Sequence, residues 1–147
     1  MSKATQNKAD RRTIKSNSER ARRIGQQASR ATKAKAASSK SARDRIKRKS
    51  EQLRRTLERK RASISRMRDR VRRTSSASSK KSIRSSIKRE SESLRRHANQ
   101  VRASIKRDRE ALKRSNESKK RSIQRLRDQA AGLRERNNQI RNRIRRR

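Results

Sequence analysis

The sequence has 147 residues, of which 52 are Lys or Arg and 13 are Asp or Glu, for a formal net charge of +39. It is 44% charged and 24% apolar, with no aromatic residue, no Pro and no Cys; disulfides, thiolate metal ligands and thiol nucleophiles are thereby excluded. Leu, Ile and Val make up roughly 12% of the chain, under the ~20% below which a highly charged sequence stays unfolded, so composition predicts a chain mostly disordered when free, with no globular core.

Within that frame the pattern is all-α: extended, basic, amphipathic helices joined by Ser/Lys-rich breaks. Residues 1–9 read as a disordered tail. Over 10–32 a weak basic helix carries Ile14, Ala21, Ile24, Ala28 and Ala31. A basic helical repeat over 42–73 carries Ile46, Leu53, Leu57, Ile64, Met67 and Val71. Another over 81–114 carries Ile83, Ile87, Leu94, Ala98, Val101, Ile105 and Leu112, and a last over 121–147 carries Ile123, Leu126, Ala130, Leu133, Ile140 and Ile144. Steps of three, four and seven mark the narrow stripe of a heptad seam. The polar stretches Lys33–Ser41, Thr74–Ser82 and Ser115–Lys120 read as flexible joints. The heptad phase shifts across the last two, and Lys60, Asp108 and Asn137 interrupt the stripe, so one continuous coiled coil is not expected.

Two segments repeat. IKRKSEQLRR from Ile46 matches IKRESESLRR from Ile87, and RASI recurs at Arg61 and Arg102. About half the positions of Ile46–Val71 are identical to Ile87–Leu112. This predicts a tandem array of one basic unit, suited to a binder that makes many equivalent contacts. Acids placed four residues before Arg, such as Glu51 with Arg55, add a few tenths of a kcal/mol each to a helix.

Arg outnumbers Lys 36 to 16, and its planar donor fork suits phosphate. The expected partner is double-stranded DNA, with RNA a further possibility, bound without sequence reading because nothing orients side chains at base edges. The missing aromatics remove base stacking, which disfavours single strands. Arg54, Arg55, Arg59, Arg61, Arg66, Arg68, Arg70, Arg72 and Arg73 are spaced to cover the whole circumference of their helix. The phosphate-binding candidates are Arg48, Arg54, Arg55, Arg66, Arg68, Arg72, Arg73, Arg89, Arg95, Arg96, Arg107, Arg109, Arg125, Arg127, Arg143, Arg145, Arg146 and Arg147. Self-association through the heptad seams is expected on DNA. Ser50, Ser63, Ser75, Ser76 and Ser104 follow basic residues, as basophilic kinases prefer, and phosphate there would temper binding.

No catalytic residue, metal site or cofactor is expected. His97 is the single histidine, without partners for catalysis or metal binding, and no P-loop or nucleophile motif is present. No apolar run approaches a membrane span, and the polar start, Met1–Asp10, predicts no secretory signal. A small, Arg- and Ser-rich chain without aromatics resembles the sperm nuclear basic proteins, the protamine-like group, and within it the cysteine-free sperm chromatin proteins of nematodes. The resemblance is compositional, spans the chain, and implies a nuclear chromatin protein that replaces histones and compacts the paternal genome. Competing expectations are a structural coiled-coil or microtubule-associated protein and an RNA-binding protein.

Overall fold

The computed structural model describes residues 3–146. Two α-helices account for nearly all of them: α1, Lys3–Arg73, and α2, Ala77–Arg145. They pack against each other along a seam that buries Leu53, Ile64, Ala98, Ile105 and Ile123 among others. The expectation of a mostly disordered chain without a core is therefore corrected. Whole-chain composition was the wrong measure. A two-helix seam needs only about two positions in seven withdrawn from water, and Ala, Ser and Asn fill many of them here. Each helix satisfies its own backbone, and at 71 and 69 residues the cost of nucleation is spread over many turns. The absence of Pro leaves nothing to interrupt the ladder.

The expected joints are corrected too. Lys33–Ser41 and Ser115–Lys120 lie inside helices. Of Thr74–Ser82 only Thr74, Ser75 and Ser76 are non-helical. The seam positions advance by three and four, from Asn7 to Val71 on α1, where all but the exposed Lys60 are half-buried or buried, and from Lys80 to Ile144 on α2. Where the heptad phase shifts, two steps of four follow one another: Ala31–Lys35–Ser39 on α1, Glu90–Leu94–Ala98 and Asp108–Leu112–Asn116 on α2. Such insertions unwind the seam locally and leave the helix whole.

The chain divides into two compact units: unit 1, Met1–Ser39 with Arg114–Arg147, and unit 2, Lys40–Lys113. Unit 2 is an antiparallel hairpin. Its seam holds Leu53, Ile64, Ala98 and Ile105, and the residues that were expected to break it are paired across it. Lys60 Nζ donates to Glu90 Oε2 at 2.9 Å. Lys49 Nζ donates to Asp108 Oδ2 and, at 3.0 Å, to Ser104 Oγ. The two copies of the sequence repeat are thus the two arms of one hairpin. Lys49 and Glu90 occupy the same position of the repeat with opposite charge, and each finds its partner on the other arm.

The hairpin turns without Gly or Pro. Thr74 closes α1 by donating from Oγ1 to the Arg70 carbonyl at 2.7 Å, and Arg70, Arg72 and Arg73 oppose the negative helix end. Ser76 opens α2: its carbonyl accepts from Lys80 N–H at 3.0 Å and its Oγ from Ser79 N–H at 3.4 Å, the arrangement of an N-cap.

Unit 1 pairs the two remaining helical segments, also antiparallel. Ala21, Ala28, Ile123, Ala130 and Leu133 are buried. Asn137, 4% exposed, donates from Nδ2 to the Ile14 carbonyl at 3.1 Å and to Ser18 Oγ at 3.0 Å, and its Oδ1 accepts from Asn17 Nδ2 at 3.0 Å. The two Ser-rich stretches meet here: Ser39 Oγ donates to Asn116 Oδ1 and Lys119 Nζ to Ser38 Oγ, both at 2.6 Å. Stretches that read as flexible joints form polar layers of the seam.

Candidate nucleic-acid interface

The seam fixes where every other side chain points. With the buried positions lettered a and d, position f lies directly opposite, e and b form one flank, and c and g form the other. The acids are sorted by this frame. Glu19, Asp44, Glu51, Glu92, Glu110, Asp128 and Glu135 fall at f, along the back of their helix, and Glu58 lies where the back of α1 meets the groove. Asp10, Glu90 and Asp108 fall in the seam. Asp69 and Glu117 are the two exceptions. The expectation that Arg covers the whole circumference is corrected accordingly, because carboxylates hold much of the back line.

The flanks are left to the cations. On the e/b flank of unit 2 stand six from α1 (Lys40, Arg43, Lys47, Arg54, Arg61, Arg68) and eight from α2 (Lys81, Arg84, Lys88, Arg95, Arg102, Lys106, Arg109, Lys113), with Glu58 at its edge. The c/g flank carries Arg45, Arg48, Arg55, Arg59, Arg66 and Arg73 from α1 and Arg89, Arg96 and Arg107 from α2, with Asp69. An open groove runs along the e/b flank. Ser50, Leu53, Leu57 and Ile105 line it with Arg54, Glu58, Arg61, Arg102, Lys106 and Arg109, which places both helices' e/b residues on the same side of the hairpin. Arg54 Nε donates to Glu58 Oε1 at 3.0 Å, yet the Arg side chain is 81% exposed, so the ion pair leaves most of the guanidinium to solvent or ligand.

The sequence-nominated arginines are all exposed where described, but they do not converge on one face. In unit 2, Arg54, Arg68, Arg95 and Arg109 share the grooved flank. Arg48, Arg55, Arg66, Arg73, Arg89, Arg96 and Arg107 share the other. Arg72 sits near the turn, 3.9 Å from Asp69. In unit 1, Arg127 and Arg145 fall on the e/b flank and Arg125, Arg143 and Arg146 on c/g. Arg147 lies outside the described residues. The phosphate-binding candidates read from the sequence left out Lys40, Arg43, Lys47, Arg61, Lys81, Arg84, Lys88, Arg102, Lys106 and Lys113. A signal existed: a cation directly follows the seam residue at Ile46, Leu53, Met67, Ile87, Leu94, Ile105 and Leu112, which builds a ladder on one flank.

The serines divide sharply. Ser50, Ser63 and Ser104 are half-buried within helices; Ser50 Oγ donates to the Ile46 carbonyl at 3.1 Å, and Ser104 Oγ accepts from Lys49. Ser75 and Ser76 are exposed in the connection. His97 is exposed on α2. Among the described residues no group of three or more His, Cys, Asp or Glu is placed to hold a metal ion, and no helix is long and apolar enough to cross a membrane.

Fold and surface together define a polar-seamed, antiparallel two-helix protein with cationic flanks. No protein-family model matches the sequence, and neither the curated proteins nor the solved structures contain a match to it.

Proposed function

We propose that this protein binds duplex DNA through its phosphates, without sequence preference, and condenses it as a nuclear chromatin protein, in the manner of the sperm nuclear basic proteins its composition resembles. It acts as a binding protein, not an enzyme. The observation that carries this reading is the grooved flank of unit 2, where fourteen Lys and Arg side chains stand and Glu58 is the single acid in the groove lining. From Lys40 to Arg68 that flank is about 42 Å long at ~1.5 Å per residue. One duplex turn is about 34–36 Å, so a duplex lying alongside brings the phosphates of both strands to it. Placing most of the acids in the seam and along the back keeps like charge away from the approaching phosphates and raises the local potential.

The test is fluorescence anisotropy with two duplexes of unrelated sequence across a salt series. Equal affinities are expected, with log K falling against log salt at a slope of about −9 if ten phosphates are neutralised. Duplex RNA, single-stranded DNA and polyglutamate serve as competitors. A second reading, a coiled-coil protein that binds acidic protein surfaces such as those of microtubules, is favoured by the helical seam itself. Polyglutamate that displaces duplex mole for mole would support that reading, and a preference for duplex RNA would support an RNA-binding role.

A further inference from the structure

We infer that unit 2 holds two duplexes at once, one against each cationic flank, with the acidic lines along the backs of both helices keeping the two binding faces distinct. The inference rests on the duplex-binding reading and goes further, because a uniformly charged rod would bind at any angle and have no count of faces.

Three observations support it. First, Asp44 and Glu51 follow the back of α1 seven residues apart, with Glu58 next in the line at its groove-side edge, and Glu92 and Glu110 share the back of α2. A phosphate approaching along either line meets carboxylate first. Second, both flanks are basic and exposed, and each draws on both helices. Neither depends on a single helix that could rotate away. Third, the flanks differ. The grooved one carries fourteen cations and a concave surface lined in part by Glu58, and the other carries nine cations together with Asp69. The grooved flank therefore fills first and the second flank captures a neighbouring duplex. Helices about 10–12 Å across hold two duplexes close while their mutual repulsion is screened by the arginines between them.

The experiment uses the full chain with two ~30-base-pair duplexes, one carrying a donor dye and one an acceptor, and reads energy transfer between them beside anisotropy of a single duplex. Wild type is expected to give transfer that passes through a maximum and falls when protein is in excess. A grooved-flank variant (Arg54→Gln, Arg61→Gln, Arg102→Gln, Arg109→Gln) and a second-flank variant (Arg48→Gln, Arg55→Gln, Arg59→Gln, Arg66→Gln) remove equal charge. Each is expected to lose about tenfold of the transfer. The second-flank variant keeps the single-duplex affinity of wild type, and the grooved-flank variant falls to the affinity of the weaker face. Circular dichroism of each confirms retained helix. If the two variants weaken single-duplex binding equally, total charge governs and the two-face inference is overturned. Wild type that binds a duplex yet gives no transfer also overturns it while leaving the duplex-binding reading intact; wild type that binds no duplex overturns both.

Discussion

Asn137 offers the sharpest test of the seam. It is buried at a seam position and makes three hydrogen bonds to α1: to the Ile14 carbonyl, to Ser18 Oγ and from Asn17 Nδ2. Truncation in Asn137→Ala removes all three. The Ile14 carbonyl keeps the hydroxyl of Ser18, which donates to it at 2.8 Å, so the stranded group is the Asn17 amide. At about 0.5–1.5 kcal/mol net per bond, with one partner left unsatisfied, the expected loss is about 2–3 kcal/mol. Because the molecule has two units, the loss is read locally, as faster hydrogen exchange at the amides of Ser18–Ala21 and Leu133–Asn137, with urea unfolding beside it. Asn137→Leu behaves differently. Burial of Leu adds about 1.5–3 kcal/mol against the lost hydrogen bonds, so stability stays close to wild type. The register is no longer pinned, as when a buried Asn is removed from a coiled coil. An Asn17→Ala, Asn137→Ala double variant should cost less than the two single losses added together. A loss under about 0.5 kcal/mol for Asn137→Ala, or strict additivity in the double variant, would refute the cross-helix network.

Other consequences are as definite. Gly25 and Gly132 lie inside helices with open space where a Cβ would stand, so Ala at either should raise stability by about 0.8–1 kcal/mol, read by thermal melting. Lys49→Asp should destabilise unit 2, and adding Asp108→Lys should recover part of the loss; the pair is about two-fifths exposed, so the recovery is at most about 1 kcal/mol and shrinks in high salt. A basophilic kinase should phosphorylate Ser75 and Ser76 on the folded chain and spare Ser50, Ser63 and Ser104, which sit half-buried in helix. Peptide mass spectrometry reads the outcome, and equal modification of all five would show that the helices open readily.

Much of this was legible in the sequence at the level of local pattern. The stripe through Ile46, Leu53 and Ile64, and that through Ala98, Ile105 and Ile123, predict the helices and the residues they bury. What one-dimensional reading could not supply was pairing. Lys60, Asp108 and Asn137 look like faults in a seam until Glu90, Lys49 and Asn17 are seen opposite them. The Ser-rich stretches around Ser39 and Asn116 look like joints until they are found facing each other. The repeat hid the topology, since two like segments joined by a short linker fit a tandem array as well as a hairpin. The charge sorting was within reach: the seven-residue spacing of Asp44, Glu51 and Glu58 was visible, but its meaning depends on knowing that the seam passes on the opposite side.

The central claim is that the helices and their sorted flanks exist before any polyanion arrives. Circular dichroism at 222 nm, on the chain alone in moderate salt and then with duplex DNA added to charge balance, tests it most directly. The account predicts a nearly fully helical signal that melts cooperatively in the free protein and barely changes on adding DNA. A coil-like free chain that acquires helix in proportion to added duplex would contradict it.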